Sequence, residues 1–148
     1  SFFATDRYLN AHEITNALEQ GIVVVCDRYV AANMGHQGSK IESPEERRDF
    51  FRWLDEYEYT KLGIPVPDLN IILHVPTDVS QTLIDKRGEQ KDLHEADINH
   101  LRRAEQVYLT LPHLFPDKFS VISCYENDRL YSREEIHELV WEKIKPLL

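Results

Sequence analysis

The feature that most constrains the fold is an uninterrupted apolar run, Ile22-Val23-Val24-Val25-Cys26, which ends abruptly at Asp27-Arg28-Tyr29. A strand with one face in water alternates apolar and polar residues, and this run does not alternate. The pattern therefore predicts a central strand of a parallel sheet, covered by helices on both faces.

Two further apolar runs, at residues 70–75 and 119–124, are separated from the first by helical patterns. Strands that alternate with helices are typical of right-handed crossovers in a parallel sheet. We therefore predict an α/β fold: a three-layer parallel sheet with helices on both faces, in a single domain over residues 1–148. Sheets usually have about five or six strands, so we expect the remaining N-terminal strands to precede Ser1.

Start and stop signals define the predicted helices. Ser43-Pro44 with Glu46 is a strong helix start, and Ser132 with Glu135 is a capping box. The other predicted segments are a helix from Asn10 to Leu18 ended by Gly21, a loop at 33–42, a buried stripe of Phe50, Trp53, Leu54 and Tyr57 on the helix that stops at Gly63, a helix over 77–87 and a helix from Ile98 to Pro112.

Composition excludes several classes of protein. The net charge is −9, which argues against nucleic acid as a partner because such binding requires a basic footprint. No apolar stretch approaches the roughly 20 residues that span a bilayer, and no signal peptide is visible. Cys26 and Cys124 each lie in an apolar run, which favours buried thiols over a disulfide. We expect a cytoplasmic protein without a membrane partner.

The end of the first apolar run carries the candidate chemistry. Ligands of open parallel sheets bind beyond the carboxyl ends of the strands, where Asp27 and Arg28 would lie. An arginine there can bind a phosphate through two parallel hydrogen bonds. The alternative is a surface turn with a salt bridge.

Nearby residue types suit a nucleoside monophosphate. An aromatic ring can stack on a base, amide or imidazole groups can form hydrogen bonds to the edge of the base, and arginine can bind the phosphate. Taken singly, Phe3 is also compatible with a core position and His36 with an ordinary loop histidine. The candidate substrate-binding residues are Phe3, Arg7, Arg28, Asn33, His36 and Gln37.

These residues carry a family resemblance. The strings are Phe3-Ala4-Thr5-Asp6-Arg7 and Val25-Cys26-Asp27-Arg28-Tyr29-Val30-Ala31-Ala32-Asn33-Met34, followed by Gln37-Gly38. Pro65-Val66-Pro67-Asp68-Leu69, Lys86-Arg87-Gly88 and Asp92-Leu93-His94-Glu95 keep the same spacing. Along its whole length the chain resembles the thymidylate kinases.

The resemblance implies a P-loop NTPase-like nucleotide kinase fold and an enzyme that makes ADP and dTDP from ATP and dTMP, with Mg²⁺ bound to ATP. It also implies a homodimer and a mobile lid over about residues 84–97, with the lid residues Lys86, Arg87 and Glu95. Phe3 would stack on thymine, Arg7 would reach its carbonyl edge, and Arg28 would hold the acceptor phosphate. Asp27 would face the magnesium site, Asn33 and Gln37 would line the base and sugar, and the catalytic set would be Asp27, Arg28 and Arg87.

Two departures and one absence accompany the resemblance. His36 stands where many members carry an aromatic residue, and Leu93 replaces a polar lid residue. A phosphate-binding loop G-x-x-x-x-G-K-[ST] does not occur in the sequence, and the resemblance implies that this loop lies ahead of Ser1.

Other readings stay open at this stage. A deoxynucleoside kinase would phosphorylate an uncharged nucleoside, and a non-catalytic nucleotide-binding fragment would bind without turnover. We do not expect a zinc site at His94 and His100, because a six-residue spacing places them on different faces of a helix.

Overall fold

The computed structural model describes residues 2–87 and 97–148. They divide at Pro67 into two compact units, up to Pro67 and from Asp68 onward. The first unit contains α1 (Phe2–Glu19), α2 (Val30–Gly38), α3 (Pro44–Asp55) and a π-helical segment (Glu56–Lys61). The second contains β1 (Asn70–His74), α4 (Thr77–Arg87), α5 (Ile98–Leu114), β2 (Phe119–Ser123), β3 (Tyr125–Glu126), β4 (Arg129–Leu130), α6 (Arg133–Ile144) and a 3₁₀ turn (Lys145–Leu147).

The first helix is longer than predicted. It begins at Phe2 instead of Asn10. Asn10 lies inside the helix, where its side-chain amide donates to the Asp6 carbonyl. Its predicted end is confirmed, because Gly21 has a φ of +73°. The N–H groups of Gly21 and Ile22 bond to the carbonyls of Leu18 and Ala17 at 2.9 and 3.0 Å, which is a Schellman motif.

The segment 22–26, predicted to be the central strand, has no strand partner among the described residues and is not a β-strand there. Its side chains are largely exposed, Val25 to 80%, and Cys26 is exposed instead of buried. A strand forms only when a neighbouring backbone accepts its hydrogen bonds. The apolar run therefore indicates a tendency to form a strand, but no strand among the described residues pairs with it.

The predicted loop at 33–42 is wrong for its first part, because residues 30–38 form α2. The buried members of α2 are Val30, Met34, Gly35 and Gly38. They recur at helical spacing, so the two glycines lie on the buried face of α2. Glycine composition alone suggested a loop, and tertiary packing overrides it.

The start of α3 is confirmed, since Ser43 Oγ accepts from the N–H of Glu46 at 3.3 Å and Pro44 opens the helix. The buried face differs from the prediction. Phe51 and Leu54 are buried, whereas Trp53 is 54% exposed. Trp53 instead stacks on Tyr57 with ring centroids 5.2 Å apart. Leu54 is buried as predicted, whereas Phe51 is buried in place of the predicted Phe50, one residue later.

In the second unit, β1 pairs parallel with β2, from Asn70 opposite Phe119 to His74 opposite Ser123. Both strands were predicted, as was α4. Cys124, next to β2, is buried as expected. The α5 helix continues past Pro112, whose missing N–H removes one bond of the hydrogen-bond ladder near the C-terminal end of the helix.

A short hairpin, β3–β4, precedes the last helix and was not predicted. Its turn residues Asn127 and Asp128 both have positive φ, the geometry of a type I′ turn. The capping box of α6 is confirmed, with Ser132 and Glu135 each bonding the other's backbone N–H.

Helices combined with a parallel strand pair place the chain in the α/β class, while the three-layer arrangement stays a prediction. Within the described ranges, no helix has both the length and the apolar character required to cross a bilayer.

The carboxylate of Glu105 on α5 holds the beginning of α4. Its Oε2 accepts from the Thr77 N–H at 3.2 Å and from Thr77 Oγ1 at 2.5 Å, and its Oε1 lies 2.7 Å from His74 Nε2. Partial burial raises the pKa of Glu105, but the hydrogen bonds from Thr77 and His74 outweigh it, and the net pKa is below the ordinary 4.5.

We predict that Glu105→Gln lowers the free energy of unfolding by about 1 kcal/mol near neutral pH, because hydrogen bonds to a charged acceptor are lost. A carboxyl group whose pKa is lower in the folded state stabilises the fold at pH values above its unfolded-state pKa. This stabilisation is lost as the pH falls through its folded-state pKa. The difference between the two proteins should therefore shrink in acid. Urea unfolding at pH 7 and below pH 4.5 measures this.

The matched control is Glu142→Gln on α6, where the glutamate is exposed. It removes the same charge and should change stability by less than about 0.5 kcal/mol. An equal loss in both variants would contradict a specific role for Glu105.

Candidate functional site

The strongest polar contact of the first unit joins Arg7 on α1 to Glu58 in the π-helical segment. Arg7 Nε donates to Glu58 Oε2 at 2.6 Å and Arg7 Nη2 donates to Oε1 at 2.5 Å. The Glu58 side chain has no solvent exposure and that of Arg7 has 12%. This is a buried, two-bonded ion pair between residues 51 positions apart in sequence.

Asn33 on α2 joins the same carboxylate. Its Nδ2 lies 3.4 Å from Glu58 Oε1, a longer contact than the arginine pair. Because a carboxylate only accepts, the amide must present its NH₂ group to Glu58 and keep its oxygen for another donor. The structure thus brings together two predicted substrate-binding residues, Arg7 and Asn33, around a third residue that the prediction missed.

A sequence signal for Glu58 existed. Phe51, Leu54 and Glu58 are spaced by three and four residues, which places them on one helical face. A glutamate on the buried face of an apolar stripe needs a partner of opposite charge. The predicted stripe was one residue out of register, so Glu58 was not recognised. The segment that carries it is π-helical, a geometry often found at functional sites.

Two tyrosines add to the low polarity of this region. Burial raises the pKa of Tyr29 to about 12, and the nearby Cys26 adds to that shift. Burial also raises the pKa of Tyr59, with Tyr29 as the next largest cause. Tyr29 donates its hydroxyl to the Pro65 carbonyl at 3.0 Å. Burial is the largest cause of both shifts, so both hydroxyls lie in surroundings less polar than water.

Asp27 and Arg28 lie on the surface between residues 22–26 and α2, and both are exposed. Arg28 has a φ of +66°. This left-handed conformation costs a non-glycine residue about 1–2 kcal/mol, and such strain concentrates at functional sites. Arg28 forms no ion pair or hydrogen bond with another described side chain. That Arg28 and Arg7 bind the same ligand stays a prediction.

The other substrate-binding candidates lie on α1 and α2. Phe3 is 70% exposed and four residues before Arg7, on the same face of α1. The core alternative for Phe3 is thus not what the described residues show. His36 is half-buried, and Gln37 is exposed and accepts from Lys40 Nζ at 3.2 Å.

The predicted lid falls largely outside the described residues. Lys86 is exposed near the end of α4, Arg87 closes that helix, and the Arg87 side chain and Glu95 lie outside what the structure describes. Within the described ranges, no three His, Cys, Asp or Glu residues group closely enough to hold a metal ion.

Comparison with known proteins places this chain. The sequence model of the thymidylate kinase family matches residues 1–140. The chain belongs to the thymidylate kinase family.

Individual relatives agree with this membership. The thymidylate kinase of Limosilactobacillus fermentum is 36% identical over 120 residues, which cover 79% of this chain and 53% of that protein. The thymidylate kinase of Neisseria meningitidis serogroup B is 30% identical over 114 residues (77% and 52%), and that of Mycobacterium tuberculosis is 28% identical over 116 residues (75% and 54%). The chain spans about half the length of the curated relatives it matches.

The backbone at Arg28 generates a prediction. Arg28→Gly should be more stable than Arg28→Ala by about 1 kcal/mol, because glycine adopts positive φ without the steric cost that alanine retains. Both variants lack the guanidinium, so the difference isolates the backbone. Urea unfolding of the two proteins measures it.

As a control, the same pair of substitutions at Arg48, an exposed position inside α3, should show the opposite order, because glycine is unfavourable within a helix. Equal stabilities at position 28 would show that the left-handed conformation is not retained in solution.

Proposed function

We propose that this chain forms the acceptor-binding part of a thymidylate kinase, a nucleoside monophosphate kinase that transfers the terminal phosphoryl group of ATP to dTMP. The observation that carries the proposal is the Arg7–Glu58–Asn33 arrangement within a chain of this family. Glu58 binds one edge of the Arg7 guanidinium and the NH₂ group of Asn33, which leaves donors on Arg7 and an acceptor oxygen on Asn33. Recognition of a base edge requires both kinds of group.

The charges of the two arginines suggest separate roles. Arg7 is paired with a buried carboxylate, so its net charge is largely balanced and it suits a neutral carbonyl of the base. Arg28 is exposed and forms no ion pair with the described residues, so its full charge is available for the acceptor phosphate. Phe3 would stack on the base, with His36 and Gln37 near the sugar.

Phosphoryl transfer requires positioning and positive charge more than covalent chemistry. In this proposal Arg28 holds the acceptor phosphate, and Lys86 and Arg87 neutralise the transferring group when the lid closes. Closure would also exclude water, which competes with the acceptor. Glu95 would be the third lid residue.

ATP would arrive with Mg²⁺, which neutralises charge on the phosphates. Magnesium in such sites keeps several waters and uses one or two carboxylates together with substrate phosphates. The exposed carboxylate of Asp27 fits this pattern.

Several properties of the whole protein belong to the same proposal: a three-layer P-loop NTPase-like fold, a homodimer and a cytoplasmic location. The family membership supports each of them.

Of the two alternatives, a deoxynucleoside kinase has no acceptor phosphate for Arg28 to bind, and family membership favours the monophosphate kinase. A non-catalytic fragment would bind dTMP without turnover.

The test uses the protein encoded by the complete gene. Coupled ADP release should occur with dTMP and be much slower with thymidine, and Arg28→Ala should raise the KM for dTMP at least about tenfold because a bidentate charged contact is lost. Circular dichroism should show unchanged helicity. Absence of turnover with every monophosphate offered would reject the proposal.

Arg48→Ala serves as the matched control, because it removes one exposed arginine of α3 without touching the proposed site. Its KM for dTMP should equal that of the unmodified protein. A rise in KM equal to that of Arg28→Ala would assign the effect to net charge instead of a phosphate contact.

A further inference from the structure

We propose that Glu58 is a positioning residue that sets the choice of base: it fixes which edge of Arg7 and which end of the Asn33 amide face the acceptor. This inference rests on the proposed function and adds a residue that contacts no substrate itself. It is motivated by the three contacts that converge on one fully buried carboxylate.

Stability alone does not account for Glu58. A buried carboxylate loses its hydration, and pairing it with arginine roughly offsets that loss, whereas an apolar side chain at this position would avoid it. The neighbours of Glu58 on the same face, Phe51 and Leu54, are apolar and buried. The charge therefore provides orientation, which an apolar residue cannot.

The geometry of the pair shows how Arg7 is oriented. Glu58 binds the side of the guanidinium that carries Nε and Nη2. Because the guanidinium is rigid and planar with five N–H donors, fixing this side also fixes the other edge, formed by Nη1 and Nη2. That edge carries only donors. It can bind a carbonyl oxygen and cannot accept from an amino group.

The Asn33 amide is oriented by the same carboxylate. Donation from Nδ2 to Glu58 leaves Oδ1 as an acceptor. Together, Arg7 presents donors and Asn33 presents an acceptor. The edge of thymine or uracil offers a carbonyl oxygen beside an N–H, which matches this order. The edge of cytosine offers an amino group beside an unprotonated nitrogen, which reverses it.

Glu58 thereby controls discrimination against amino-pyrimidines. Glutamine at position 58 has similar size but presents an NH₂ group as well as an oxygen. It can no longer accept both hydrogen bonds from Arg7, and its own donor competes with the Asn33 amide, whose orientation is then free to reverse.

The experiment measures kcat and KM for dTMP and for dCMP with the protein from the complete gene. For Glu58→Gln we expect the KM for dTMP to rise about tenfold, as expected for loss of a charged hydrogen bond. The ratio of kcat/KM for dTMP to that for dCMP should fall by a similar factor. The KM for ATP should stay unchanged, because the substitution alters no contact proposed for ATP, the phosphate donor.

Glu56→Gln is the matched control. Glu56 lies in the same π-helical segment and pairs with Lys61 at 3.4 Å, but its side chain is 61% exposed. This variant removes the same charge and should keep both kinetic constants within about twofold.

A second variant covers the possibility that Glu58→Gln does not fold. Glu58→Asp keeps the charge and shortens the side chain by one methylene, so it should retract the Arg7 edge and lower the dTMP preference while leaving the KM for ATP unchanged. The Nε–H resonance of Arg7 in a ¹⁵N-correlated spectrum reports the pair directly. It should be protected from exchange in the unmodified protein and in Glu56→Gln, and lose protection in Glu58→Gln.

The outcomes separate this inference from the proposed function. If the unmodified protein phosphorylates no monophosphate, the proposed function fails. If the unmodified protein is active and a folded Glu58 variant keeps the same preference for dTMP over dCMP, Glu58 has a purely structural role and the inference is overturned.

Discussion

A carboxylate without solvent exposure constrains the first unit more than any other single group. Glu58 has lost its hydration and must find its hydrogen-bond donors within the protein, and it finds them on Arg7 and Asn33. These contacts join α1, α2 and the π-helical segment through one side chain. Removing either charged partner would leave the other buried and unpaired, which is among the most destabilising changes a protein can undergo.

The same contact makes the two arginines that were predicted to bind the substrate electrostatically different. Arg7 is balanced by Glu58, whereas Arg28 is exposed and unpaired among the described residues and lies on a strained backbone. A nucleotide presents a neutral base and a charged phosphate, so a site that binds one benefits from guanidinium groups of unequal effective charge. The chain belongs to the thymidylate kinase family, and in the proposed site this difference would give the two arginines separate roles.

Much of the fold could be predicted from local signals. The caps at Ser43 and Ser132, the stop at Gly21, both strands of the parallel pair and α4 all depend on residues within a few positions of one another. The errors share a different cause. The conformation or burial of each wrongly predicted residue depends on which other segment packs beside it, and no local pattern encodes that. These residues are 22–26, the helical glycines Gly35 and Gly38, and the exposed Trp53.

The candidate site divides in the same way. The sequence by itself identified the family resemblance and the α/β class, because motifs and periodicity are properties of neighbouring residues. It also identified the candidate residues Phe3, Arg7, Asp27, Arg28 and Asn33. Only the tertiary structure decided that Glu58 pairs with Arg7 across 51 positions, and that Arg28 adopts a left-handed backbone. The physical reason is that hydrogen bonds to a buried charge depend on distances in space, which the order of residues along the chain does not specify.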